Sequence, residues 1–157
     1  MTSRSAGRTL IAASGLFLLP LSAHAVGNRP GLSRTQPTMA QYAQDLSGSS
    51  PAKRRYAARV LLRQVRTARR QAATGPEDDL TRDQARQTLT DSDRLVAPGC
   101  IRHLSVREIT APCADILRLL ETQAALAPLE VQLGREGRRG VQRRLQRAIT
   151  TLKSLEP

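Results

Sequence analysis

Cys100, His103 and Cys113 are the residues of this chain whose types and spacing could do covalent or metal chemistry. His103 stands three residues after Cys100, so one helical turn would set an imidazole beside a thiol, the arrangement of a thiol-dependent hydrolase. Such a nucleophile has to be a free thiolate. In an exported chain the two cysteines pair more naturally as a Cys100–Cys113 disulfide, which would fasten the segment between them to a core and contribute about 3 kcal/mol. A zinc site built from the same three residues lacks a fourth ligand and a usual spacing, so no metal and no other cofactor is expected. Glu77, Asp78 and Asp79 cluster where a helix would begin, and the positive end of the helix dipole accounts for them. No phosphate-cradling glycine loop and no serine in a nucleophile elbow are present. The expectation is therefore a protein that is not an enzyme, with the Cys100/His103 hydrolase as the alternative.

Binding chemistry is more evident than catalysis. Residues 53–70 carry eight positive charges and no acid, and residues 135–153 carry seven with only Glu136 opposing. Guanidinium groups match carboxylates and phosphates bidentately, so exposed rows of them suit an anionic partner. At helical spacing Ala57, Val60, Leu61, Val65 and Ala68 share one face, and Arg55, Arg59, Arg63, Arg66 and Arg70 share the other. Val141, Leu145, Ala148, Ile149 and Leu152 do the same further on, opposite Arg139, Arg143 and Arg147. Arg55, Arg59, Arg63, Arg139, Arg143 and Arg147 form the expected contact surface. A bland reading stands beside it, in which the basic faces are solvated or pair with the acidic stretch 77–93. Nucleic acid is disfavoured as the anion, because only two tyrosines remain outside the leader to stack bases. Deep insertion into lipid is disfavoured by alanine-rich apolar faces without tryptophan.

The elements that would position these residues begin after a leader. Arg4 and Arg8, the apolar run 10–21 and Ala23-His24-Ala25 read as a secretory signal peptide, residues 1–25, cleaved near Ala25. That run is too short for a span, which needs about 20 residues, so the mature chain has no transmembrane segment and is periplasmic or secreted. Loss of Arg4 and Arg8 lowers the formal net charge from +12 to +10. Residues 26–37, rich in proline and glycine, read as a disordered leader, and 38–157 as a single helical domain. Thr38 to Gln41 fits a capping box, and Met39, Tyr42, Ala43 and Leu46 line a short helix. Ser50 as N-cap and Pro51 as first helical residue open a second helix reaching about Ala72. Thr74-Gly75-Pro76 breaks the chain, and a third helix, with Ala85, Leu89, Ser92 and Val96 inward, is expected to stop at Ala97-Pro98-Gly99. Residues 100–112 read as a loop with one helical turn. Cys113, Ile116, Leu117, Leu120, Ala124 and Ala127 predict a fourth helix kinked or restarted at Pro128, and the last helix runs over about 138–155.

The short helix, the Ser-Ser-Pro turn and "RRYAARVL" together resemble the second half of a HEAT repeat. Pro51, Arg54, Ala57 and Leu61 match, while Lys53 stands where valine is usual. "LAPLEVQLGREGRRGVQRRLQRAI" resembles a second unit, with Val141 matching and Gln142 in place of arginine. Ala57 and Leu145 would then be equivalent positions two repeats of about 44 residues apart. The resemblance covers about half of the mature chain and implies stacked antiparallel helix pairs and a binding scaffold.

Together these readings give an all-α fold of about five helices in antiparallel pairs, HEAT-like or an irregular bundle. Its expected function is that of an exported, noncatalytic binding or scaffold module contacting an acidic protein or an anionic envelope component. A structural envelope protein that binds anionic polymer nonspecifically is the further alternative.

Overall fold

Thr38 and Gln41 set the start of the first helix. The Gln41 amide donates to Thr38 Oγ1 at 3.3 Å and the Thr38 amide donates to Gln41 Oε1 at 2.7 Å, the reciprocal exchange of a capping box. In this computed structural model, which describes residues 37–74 and 80–155, that helix is α1, Met39–Ser47. All the described residues belong to one unit, Thr35–Pro157. The leader readings, 1–25 and nearly all of 26–37, lie outside the described residues, as do Gly75-Pro76 and the acids 77–79.

Ser50 Oγ accepts from the Lys53 amide at 3.5 Å, and Pro51 opens α2, Pro51–Thr74. The others are α3, Leu80–Arg102, α4, Thr110–Leu120, α5, Leu126–Arg135, and α6, Arg139–Lys153, with one 3₁₀ turn at Gln123–Ala125. The described residues thus form six α-helices and no strand. The first three helices pack mutually, with α2 lying most extensively on α3, while α4 packs against α2, α3 and α6, and α5 packs on α6. This arrangement is compatible with a helical repeat-like fold. The apolar stripes meet in one core, where Leu46, Leu61, Ile116, Leu117, Leu145 and Leu152 are fully buried. Each such side chain contributes roughly 1.5–3 kcal/mol of burial.

Three expectations are corrected. First, α3 does not stop at Pro98 but runs through it to Arg102. The proline ring costs a backbone hydrogen bond, yet Cys100 and Leu104 beyond it are buried, and Leu46 lies over Gly99, so tertiary packing carries the helix across. Residues 100–102 and 110–112 are therefore helical, and turns join them over 103–109.

Second, the break expected at Pro128 falls at Glu121, which adds a sixth helix. Glu121 has a left-handed backbone, φ 59°. Its amide donates to the Arg118 carbonyl at 3.2 Å and the Thr122 amide to that of Leu117 at 3.1 Å, a Schellman close. Pro128 sits in the first turn of α5, where it is tolerated. The stripe therefore does not continue through Ala124 and Ala127, which are exposed, and Ala125 is buried instead.

Third, Cys100 and Cys113 are not bridged. Both are free thiols, fully buried in the core. They sit one on each side of the 103–109 turns and belong to the same core, too far apart for a disulfide bond. Buried thiols of this kind pack as small hydrophobes.

Candidate functional site

The basic face of α2 and the start of α6 meet over α4. Arg55, Arg59 and Leu62 from α2, Ala111 and Pro112 from the first turn of α4, and Arg138, Val141 and Arg144 at α6 enclose a cavity of about 480 Å³. A recess of about 350 Å³ continues from it along α2, sharing Arg59 and Leu62 and adding Arg63, Arg66 and Arg70. The two form one trough with arginines on its rim and Leu62, Ala111, Pro112 and Val141 beneath. Leu62 lies on α2 beside the main apolar stripe, which is why it faces the trough rather than the α1 and α3 side.

Buried carboxylates hold part of the rim in place. Asp115, on α4, is only 6% exposed, and its Oδ2 accepts from Arg66 of α2 at 3.1 Å and from Arg144 of α6 at 2.7 Å. One oxygen thus ties three helices together. Glu136 does the same for Arg138: the guanidinium donates through Nε at 2.8 Å and Nη2 at 2.7 Å, and the Arg138 amide donates at 2.9 Å. Those bonds from Arg138 hold the Glu136 carboxyl at about 2, far below its ordinary value, against the opposing effect of desolvation. Arg138 Nη1 also donates to the Arg107 carbonyl at 3.0 Å. At the edge, Arg69 pairs with Glu121. Arg54 is turned inward, donating to the Gly48 and Ser49 carbonyls at 2.7 and 3.2 Å and lying 4.0 Å from Glu108.

The six arginines read from the sequence divide between two surfaces. Arg55, Arg59 and Arg63 line the trough, and among the described residues no carboxylate lies within 4.0 Å of them. Arg139 and Arg143 instead line a separate recess beside Leu133 and Gln142, on the α5 side of α6. Arg147 is exposed on that same helix. Two acids of α3 pair locally, Asp83 with Arg86 at 3.6 Å and Asp91 with Arg94 at 3.3 Å, while Asp93 accepts from Thr122, beyond α4, at 2.6 Å. The described part of the acidic stretch therefore does not cover the α2 row.

Arg66 belongs to the basic face of α2 that spacing marks, whereas Arg138, Arg144 and Asp115 are not singled out by spacing. Asp115 carried a usable signal, because it is the one acid within the otherwise apolar run "CADILRLL" of α4. An acid at that position requires cations from neighbouring helices.

The thiol pair has a different character. Hydrogen bonding to Cys100, and then burial, push the Cys113 thiol well above its ordinary value, opposite to what a nucleophile needs. His103 is half-buried and its Nε2 has no hydrogen-bond partner. Among the described residues no three His, Cys, Asp or Glu side chains are placed to hold a metal ion, and no helix is long and apolar enough to cross a membrane. A further cleft between α1 and α3 has an apolar wall of Ala40, Ala43, Leu95 and Pro98, with Gln44, Ser47 and Arg102 as its polar side chains. No family model, no curated protein and no solved structure matches this chain.

Proposed function

We propose that this protein is an exported, noncatalytic helical binding module that takes an acidic protein partner in the trough over α4. One observation carries the reading: Arg55, Arg59 and Arg63 are exposed without a carboxylate within 4.0 Å among the described residues, beside arginines that buried acids already hold in place. Unpaired guanidinium groups next to a concave apolar floor favour a ligand that brings both carboxylates and apolar groups. Export rests on the leader, residues 1–25, and a HEAT-like scaffold rests on the repeat-like packing of helices together with the Pro51, Arg54, Ala57 and Leu61 pattern. Arg54 supports the latter by bracing the α1–α2 turn.

Polyglutamate binding followed by fluorescence anisotropy tests the trough. The wild-type chain should bind, with affinity falling as salt rises. Replacing Arg55, Arg59 and Arg63 together by glutamate should abolish binding, while the same change at Arg139, Arg143 and Arg147 should leave most of it. Equal losses from the two triple variants would mean a diffuse basic surface, as a nonspecific polymer binder has, and would overturn the assignment.

A further inference from the structure

We infer that the trough takes an extended peptide segment in which carboxylates alternate with apolar side chains; this rests on the trough being the binding surface. Charge is the first ground. At the cavity end Arg55, Arg59, Arg138 and Arg144 face three acids that line or anchor it, Glu108, Glu136 and Asp115. The adjoining recess adds Arg63, Arg66 and Arg70 and no further acid, so the trough as a whole carries a surplus of about four positive charges, which suits a ligand with several carboxylates.

Spacing is the second. Arg55, Arg59 and Arg63 follow one another at i, i+4, i+8, with Cβ atoms about 5–6 Å apart. In an extended chain, side chains two residues apart point the same way at about 6.6 Å, so every second residue of the ligand meets the next arginine. The intervening residues point away from α2, toward Ala111 and Pro112 of α4 and Val141 of α6.

The test uses the full chain and labelled ~7-residue peptides, one alternating Asp and Val, one with the same residues in two blocks, alongside inorganic polyphosphate and phosphatidylglycerol vesicles. The alternating peptide should bind about tenfold more tightly than the block isomer. Arg59→Gln and Val141→Asp should each weaken it by about tenfold, and Arg143→Gln should leave it within about twofold. Equal or tighter binding of the block isomer, polyphosphate or vesicles overturns the inference, as does an equal loss from Arg143→Gln. If polyglutamate capture still depends on Arg55, Arg59 and Arg63 while alternation brings no advantage, the inference falls and the binding surface stands. Indifference of both probes to those arginines removes both.

Discussion

Asp115 gives the sharpest test of how the trough is held. Its carboxylate is 6% exposed, while its partners Arg66 and Arg144 are 49% and 47% exposed. The two ends of the interaction therefore differ in what they lose. Asp115→Asn removes two hydrogen bonds to a charged group, worth about 1.5–3 kcal/mol each, but the freed guanidinium groups rehydrate and the amide oxygen still accepts. A net loss of about 1–2 kcal/mol is expected. Replacing Arg66 and Arg144 together by methionine keeps their apolar stems but strands a buried charge without a partner, at a cost of about 3–5 kcal/mol. Urea denaturation of the three proteins near neutral pH measures both. Adding Asp115→Asn to the double methionine variant should restore much of the loss, since the stranded charge disappears. A double methionine variant no less stable than Asp115→Asn would refute the reasoning, because it would mean that Asp115 is not paying a burial penalty.

Four other outcomes are expected. Pro98→Ala should raise stability by about 1–3 kcal/mol, since α3 is helical on both sides of the proline, and a loss would show that the ring fits a local bend. Glu121→Gly relieves a left-handed backbone worth about 1–3 kcal/mol but gives up the Arg69 pair, worth about 0.2–1 kcal/mol at a partly exposed site, so thermal melting should shift upward. Glu136 has a folded-state value lowered from 4.5 to about 2, so its contribution is complete above 4.5 and is lost as pH falls toward 2. The stability difference between wild type and Glu136→Gln should shrink over that window, and a difference independent of pH would contradict the pairing. Protein denatured without reductant should release two reactive thiols, with slow labelling before denaturation, whereas none would mean that Cys100 and Cys113 are bridged.

Much of the helical architecture was legible because local and tertiary preferences agree there. Thr38, Gln41, Ser50 and Pro51 satisfy helix ends whatever surrounds them, and the α2 and α6 stripes repeat without interruption. Pro98 was misread because a local rule ends helices at proline while the buried Cys100 and Leu104 favour continuing. Glu121 was missed because a left-handed close usually announces itself with glycine or asparagine. For the site, the arginines opposite an apolar stripe could be counted, but spacing places them on a helix and not on a groove. Arg138 and Arg144 join Arg55 and Arg59 only because α6 packs beside α4, a fact of helix order in space. Arg139 and Arg143 share the same sequence pattern and are turned toward α5 instead.

The most direct measurement is a methyl-resolved titration with the alternating acidic peptide. The methyl resonances of Leu62 and Val141, together with those of Ala111, should move in a saturable and salt-sensitive way, while Leu133 beside Arg139 and Arg143 stays in place. Shifts centred on Leu133, or spread evenly over both basic faces, would contradict the account.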